Sequence, residues 1–186
     1  MKKSIRIAPL AALAIALAAA PMRADQALPS ASGTPSSMDS EVRHALVMLP
    51  FYGAFDTLNY SVMGDTVTLS GQVTRPTLKS DAEAVVKRIP GVSTVVNQIE
   101  VLPLSHWDDY IRRAAYLKLF NSNSPLFRYG LGATPSIRII VDNGHVTPKG
   151  TVSSQSDKQT TSMYVRQVFG VFSVTNDLDV TRSQGA

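Results

Sequence analysis

Hydrophobic and polar positions in residues 39–104 switch between helical and extended spacing in a fixed order. Residues Asp39–Leu49 are predicted to form a helix, since one face collects Val42, Ala45, Leu46 and Leu49. Asp39 or Ser40 is its natural N-cap. Leu58–Val62 then has extended spacing, and MGDT leads into the alternating segment VTLSGQV, which is typical of a β-hairpin.

A second helix and a last strand complete this segment. Ser80 is predicted to open the helix, and Pro90 with Gly91 to end it. Its apolar face is formed by Ala82, Val85, Val86 and Ile89. The stretch GVSTVVNQIEV follows as a strand, so the predicted order is helix, strand, strand, helix, strand.

The same pattern occurs a second time. Residues 67–101 align with 146–180 at one constant offset and without a gap. The identical pairs include Val67/Val146, Thr68/Thr147, Gly71/Gly150, Val73/Val152, Lys79/Lys158, Gly91/Gly170, Val92/Val171, Val95/Val174, Asn97/Asn176 and Val101/Val180. Two copies at so long a period indicate duplication of a small domain rather than a solenoid.

The second copy departs from the first in three places. Pro148 replaces Leu69, and because proline cannot donate to a ladder, we expect this position to face an edge or a bulge. Thr160–Ser162 replace better helix formers, and Asn121–Thr134 is longer and looser than its counterpart. Its predicted helices are Trp107–Phe120 and one whose face carries Thr161, Tyr164, Val165 and Val168.

The predicted fold class is therefore α/β (α+β), with two tandem α-β-β-α-β modules. In each module the hairpin is antiparallel and the strand-helix-strand crossover joins parallel strands, which gives a three-stranded mixed sheet. Both helices are predicted to cover one face of it. The expected domains are residues 39–104 and 105–182, followed by a tail at 183–186.

The N-terminus carries a predicted export signal. A basic start and the apolar run Leu10–Ala20 are typical of a cleaved signal peptide, residues 1–24, and a Ser/Pro-rich linker follows at 25–38. The chain has 18 basic and 14 acidic residues, but four of the basic residues lie in the predicted signal. The mature net charge is then about zero, which argues against nucleic acid as a partner.

Two pairs of motifs carry a family resemblance. GDTVTLSGQV with GVSTVVNQIEV, and NGHVTPKGTV with GVFSVTNDLDV, resemble the BON domain, a small α/β module of osmotically inducible periplasmic proteins. The resemblance implies a periplasmic location, binding to phospholipid membrane surfaces, and support of the cell envelope under osmotic stress. Its motifs are structural glycines and strand valines, which specify a fold and hardly any chemistry.

Candidate chemistry is sparse in this sequence. The chain has no cysteine, and His44, His106 and His145 lack metal-ligand spacing, although Asp108 and Asp109 follow His106. No nucleophile elbow, phosphate loop or dinucleotide fingerprint occurs. We therefore predict a protein that is not an enzyme and that needs no metal or cofactor.

The predicted helix at Trp107–Phe120 is the exception to this plain pattern. We expect Tyr110, Ile111, Ala114 and Leu117 to pack on the sheet. The opposite side would carry arginines and aromatic rings facing solvent, as in a helix that lies at a membrane interface. The predicted lipid-binding residues are Trp107, Arg112, Arg113, Tyr116, Lys118, Leu119 and Phe120.

Charge is consistent with an anionic phospholipid surface as the partner. Residues 39–104 carry seven acids and five bases, whereas 105–186 carry six acids and nine bases, so the second module is the basic one. Two alternatives stay open. The same aromatics could pack on the other module, or they could bind another envelope protein in a chaperone-like role, as could a strand edge near Pro148.

Overall fold

The computed structural model describes residues 37–132 and 134–181. The predicted signal peptide and C-terminal tail, and the predicted linker up to residue 36, lie outside the described residues. The described residues belong to one compact unit, which contains both repeats.

The first repeat folds into helices α1 and α2 and strands β1, β2 and β3. Their bounds are α1 Ser37–Val47, β1 Thr57–Met63, β2 Thr66–Val73, α2 Pro76–Val86 and β3 Thr94–Val101. The sheet order is β1-β2-β3, with β1 antiparallel to β2 and β2 parallel to β3.

The second repeat has the same order, except that it contains a 3-10 helix and that its last strand is divided in two. Its elements are α3 His106–Leu119, a 3-10 helix Phe127–Gly130, β4 Ile137–Asp142, β5 His145–Val152, α4 Gln155–Arg166, β6 Ser173–Val174 and β7 Asp177–Val180. Strand β4 is antiparallel to β5, and β6 and β7 both pair with β5 in parallel. The predicted fold class of two tandem α/β modules with mixed sheets is confirmed.

Helix α2 begins earlier than the sequence predicted. It starts at Pro76 instead of Ser80, and Arg75 is the N-cap without a side-chain hydrogen bond. Proline suits the first helical turn, where its missing N–H would have no partner in the helix. Ser80 lies inside the helix, and its hydroxyl donates to the carbonyl of Thr77 at 2.9 Å.

Each repeat has its own apolar core between the helices and one sheet face. In the first, Val67, Leu69 and Val73 of β2 are buried together with Leu78, Ala82 and Val86 of α2. In the second, the core contains Ile111, Ala115 and Leu119 of α3 and Val165 of α4.

The repeated asparagines tie the last strand to the second helix of each module. The Asn97 Oδ1 accepts from the Ile99 N–H at 3.1 Å, while its Nδ2 donates to the carbonyl of Lys79 at 2.9 Å. Asn176 repeats both bonds with Leu178 and Lys158, at 3.2 and 2.7 Å. Each amide therefore bonds both to its own strand and to the second helix of its module.

The repeated strand glycines mark close backbone approaches. Gly71 and Gly150 have φ of 121° and 119°, a region that L side chains rarely adopt. A Cβ atom at Gly71 would overlap the Thr57 carbonyl, and one at Gly150 would overlap the Ser136 carbonyl. Both positions therefore require glycine.

The prediction that Pro148 faces an edge or a bulge is wrong about the edge, since Pro148 lies in the central strand β5, but the neighbouring strand is interrupted opposite it. Pro148 is paired with Ile139, whose N–H points away from β5 and donates to the Ala54 carbonyl at 2.7 Å. The nitrogen of Pro148 therefore faces the opposite neighbour. There the strand is interrupted between β6 and β7, whereas β3 runs unbroken past Leu69 in the first module.

The segment between α3 and β4 is held by a polar cluster around the buried side chains of Tyr129 and Asp157. The Tyr129 hydroxyl donates to the Asp157 carboxylate at 2.8 Å, and Arg128 pairs with the same carboxylate at 2.7 Å. Burial alone would raise the pKa of Asp157. Hydrogen bonds from Ser154 and Tyr129 and the charge of Arg128 outweigh that effect, so its pKa lies below the ordinary value.

A loop of the first module covers the outer edge of β4 in the second. Besides the Ala54–Ile139 bond, the Arg138 guanidinium donates to the carbonyls of Gly53 and Asp56 at 2.9 and 3.2 Å. It also lies 4.6 Å from the ring centroid of Tyr52. These contacts join the two modules through backbone groups and leave a cleft beside α3.

Replacing Pro148 with leucine should stabilise the second module. The Pro148→Leu variant supplies a backbone N–H that faces the gap between β6 and β7, which is worth about 1 kcal/mol, and the new amide at 148 should be protected from hydrogen exchange. The matched Leu69→Pro variant should destabilise the first module by at least about 1 kcal/mol, because it removes a ladder hydrogen bond. An unprotected amide at 148 would show that proline does not cause the break.

Replacing Asp157 with asparagine should remove a pH-dependent part of the stability. The folded pKa lies below the unfolded value of about 3.9, so the contribution is present above pH 4 and is lost as pH falls through the folded pKa. Denaturant unfolding should show Asp157→Asn to be less stable by about 1–3 kcal/mol at pH 7. The difference should shrink towards pH 2, and a constant difference would contradict the carboxylate's role.

Candidate lipid-binding surface

The first turn of α3 is attached to the β4–β5 hairpin. Ser105 is the N-cap, and its hydroxyl accepts from the Asp108 N–H at 3.1 Å. The buried Asp108 carboxylate accepts from the N–H groups of Asn143 and Gly144 at 2.9 and 2.8 Å. Because Asp108 is bound to the hairpin turn, it is not available to act with His106.

Arg112 makes the second attachment, one turn later. Its side chain is buried, donates to the Val141 carbonyl at 2.6 Å, and pairs with Asp109 at 2.6 Å. The residue exposes 4% of its surface, so its charge is compensated by Asp109 rather than presented to solvent. Arg112 is therefore a structural residue of the second module.

These two attachments rotate α3 away from the predicted orientation. The buried face carries Asp108, Ile111, Arg112, Ala115 and Leu119, and Phe120 is also buried. The prediction that Arg112, Leu119 and Phe120 face solvent is therefore wrong. The prediction that Tyr110 and Leu117 pack on the sheet is wrong too, since both are exposed.

The other predicted lipid-binding residues have mixed positions. Trp107 and Arg113 are exposed, while Lys118 is partly buried. Tyr116 is partly buried between Phe55 and Phe120, with ring centroids 6.0 and 5.0 Å away. Of the seven, Trp107 and Arg113 thus lie on the outward face, and Lys118 reaches solvent in part.

Trp107 belongs to a group of exposed rings at the N-terminus of α3. It stacks on Tyr110 with a centroid distance of 5.6 Å and meets Phe169 edge to face at 5.8 Å. Gly170 provides the seat, because a Cβ there would lie 2.8 Å from the indole. Phe172 follows two residues later, against the ring of His145 at 5.0 Å.

We call Trp107, Tyr110, Phe169 and Phe172 the aromatic surface. Their exposed fractions are 50%, 43%, 73% and 80%. Arg113 and Leu117 extend the same side along α3, one and two turns after Tyr110. A cluster of large rings with this exposure is unusual on a protein surface that contacts only water, and it marks an interaction site.

The first module lacks this surface although its backbone is alike. Met38 contacts Gly91 as Trp107 contacts Gly170, which places Glu41 where α3 has Tyr110. Phe169 and Phe172 correspond to Pro90 and Ser93 at the repeat offset. The aromatic surface is therefore specific to the second module.

Sequence reasoning missed Phe169 and Phe172, although a signal for them was present. Aligning the repeats shows two phenylalanines where the first copy has Pro90 and Ser93. Both follow the helix-ending position rather than lying on a periodic face, so a helical wheel does not find them.

Residues 37–132 and 134–181 contain no group of three or more His, Cys, Asp or Glu side chains placed to hold a metal ion. Within the same ranges, no helix is both long and apolar enough to cross a membrane.

Comparisons with known proteins agree with the repeat. The family model for the BON domain matches residues 39–103 and 127–182. A search of curated proteins finds no match.

Two solved structures of CdsD, a structural protein of the type III secretion system of Chlamydia trachomatis, also align with the chain. One is 13% identical and covers 78% of this chain and 92% of its own. The other, a C-terminal domain, is 11% identical and covers 80% and 99%. Both have a TM-score of 0.29, which is too low to support any inference.

Arg112 and its neighbour Arg113 should differ sharply when replaced. Arg112→Met leaves the Val141 carbonyl and Asp109 without a donor, and should cost about 1–3 kcal/mol in the free energy of unfolding. Arg113→Met removes an exposed side chain and should change it by less than about 0.5 kcal/mol. Chemical denaturation measures both, and equal effects would contradict the structural role of Arg112.

Proposed function

The chain belongs to the BON-domain family, and on that premise we propose that it is a non-enzymatic protein of the periplasm that binds anionic phospholipid surfaces. BON domains are binding modules associated with the envelope. The second module makes the contact, through the aromatic surface together with Arg113 and Leu117. In this role it supports envelope integrity under osmotic or other stress.

The observation that supports this proposal is the exposure of four rings around the seat at Gly170. Tryptophan and tyrosine have an apolar body and a polar group, and they settle at the depth of lipid headgroups. Phe169 and Phe172 expose most of their surface and would enter the acyl boundary. The outward side of α3 continues this face with one cation and one leucine.

The free energies of burying a ring and of placing a cation near the membrane show which residues dominate binding. A ring that removes about 100 Å² of apolar area from water gains roughly 2.5 kcal/mol. A cation near an anionic surface contributes about 1 kcal/mol. Since Arg112 is internal, the rings outweigh the cations, and binding should depend less on salt than an arginine-based site would.

Charge still favours an anionic surface over a neutral one. The side chains of Arg113, Lys118 and Arg166 make no hydrogen bond or ion pair with any described residue. Arg113 and Lys118 lie on α3, which carries Trp107 and Tyr110, and Arg166 ends α4 three residues before Phe169. Their charges are therefore available to phosphate groups at the membrane.

Binding to another envelope protein remains the alternative function. Its predicted strand edge near Pro148 is not available, because that residue lies in the central strand and the outer edge of β4 meets Ala54. The aromatic surface could serve a protein partner instead. In that case the purified protein would not bind lipid vesicles.

Sedimentation with vesicles tests the proposal. The mature protein should sediment with phosphatidylglycerol vesicles, and Phe169→Ser with Phe172→Ser should lower the partition coefficient at least tenfold, because two rings no longer leave water. Trp107, the only tryptophan, is retained in this variant and reports binding by a blue shift of its emission.

The control variant changes two exposed apolar residues of the first module. Met48→Ser with Met63→Ser removes side chains that expose 67% and 77% of their surface, far from the aromatic surface along the chain, and should bind as the wild type does. Equal losses in both variants would indicate non-specific adsorption. No sedimentation of the wild type would refute lipid binding and favour a protein partner.

A further inference from the structure

A cleft of about 470 Å³ lies between the first module and α3. Its walls come from the N-terminus of α2, the connection between the modules, and the first half of α3. The lining residues that matter here are Arg75, Arg112 and Arg113, with Asp109 and Phe55. The contacts that join the two modules place these arginines together, although Arg75 lies far from the others in sequence.

The charge of the lining is positive. Three guanidinium groups face one carboxylate, that of Asp109, which pairs with Arg112 and offsets one of them. Arg75 is the N-cap of α2 and leaves this helix end without a side-chain acceptor. A helix N-terminus carries partial positive charge. An anion in the cleft would therefore lie near Arg75, Arg113 and the N-terminus of α2.

Arg112 lies beside the cleft with one donor that no described residue accepts. Its side chain is 5% exposed, and its Nε has no hydrogen-bond partner among the described residues. A buried N–H without an acceptor is costly, and most such groups in proteins are paired. This Nε is itself closed to solvent, so an anion in the cleft would act on Arg112 through its charge rather than through a direct hydrogen bond.

An apolar groove continues from the cleft along α3. Phe55, Tyr116 and Leu117 line it with Arg113, and Phe55 and Arg113 belong to both spaces. Leu117 is 69% exposed. A ligand with a charged end and an apolar chain would place the first among the arginines and the second in this groove.

We propose that the cleft binds the phosphate of a single phospholipid molecule, whose acyl chain lies against Phe55, Tyr116 and Leu117. Arginine is the side chain best suited to phosphate, because its planar fork donates two parallel hydrogen bonds. This inference rests on the proposed function, since both bring a phospholipid to α3. It adds a site for one lipid molecule to a surface that contacts the bilayer as a whole.

The test uses a lipid that stays in solution. Calorimetric titration of the mature protein with dihexanoyl phosphatidylglycerol, below its critical micelle concentration, measures the cleft without any membrane. Inorganic phosphate is titrated in the same buffer, which separates a lipid headgroup from a free phosphate ion. We expect the lipid to bind at least about tenfold more tightly, because its acyl chains bury apolar area.

Arg75→Gln and Arg88→Gln form a matched pair for this titration. Both arginines are exposed and lie next to α2, one before its first residue and one after its last, so each change removes one charge from the same module. Arg75→Gln should raise the dissociation constant for the lipid about tenfold, as loss of a charge-assisted hydrogen bond does. Arg88→Gln, whose residue does not line the cleft, should leave it unchanged.

Three outcomes would overturn the inference. Equal affinity for inorganic phosphate would assign the cleft to the free ion instead of a lipid. Equal effects of the two variants would show that only net charge matters. If the protein binds vesicles but not the soluble lipid, the cleft is not a lipid site and the proposed function stands. If it binds the soluble lipid but not vesicles, only the proposed binding to vesicles is refuted.

Discussion

The orientation of α3 about its own axis is the constraint on which the functional account depends. Asp108 accepts two hydrogen bonds from the turn of the β4–β5 hairpin, and Arg112 donates to the Val141 carbonyl just before it. Two polar anchors one turn apart leave the helix a single orientation. That orientation buries Leu119 and turns Trp107 outward, so the residues that stabilise the fold also determine which residues can meet a membrane.

Duplication lets the two modules share a backbone while differing in surface. Glycines at 71 and 150 and asparagines at 97 and 176 make equivalent contacts, and these positions carry the family pattern. Around the helix-ending glycine, by contrast, the first module has Met38, Glu41, Pro90 and Ser93, and the second has rings. The loop that covers β4 then holds the modules together, which places Arg75 of one beside the α3 arginines of the other.

Much of the fold could be predicted from the sequence because its signals are local. Alternating valines, the turn sequences and the constant repeat offset specify strands, hairpins and order, whatever the tertiary contacts. The phase of α3 could not be predicted, because a helical wheel assumes that polar residues face water. Asp108 and Arg112 are buried instead, since their partners are backbone groups far along the chain. The cleft could not be predicted from the sequence either, because its arginines come together only when the two modules pack.

The depth of Trp107 in a bilayer is the most direct test of this account. Its fluorescence can be measured in anionic vesicles that carry nitroxide quenchers either near the headgroups or deep in the acyl chains. An outward Trp107 that settles at the interface should be quenched strongly by the shallow label and weakly by the deep one. If neither label quenches Trp107 while the protein is bound to the vesicles, the aromatic surface is not the membrane contact, and the assigned role of α3 is wrong.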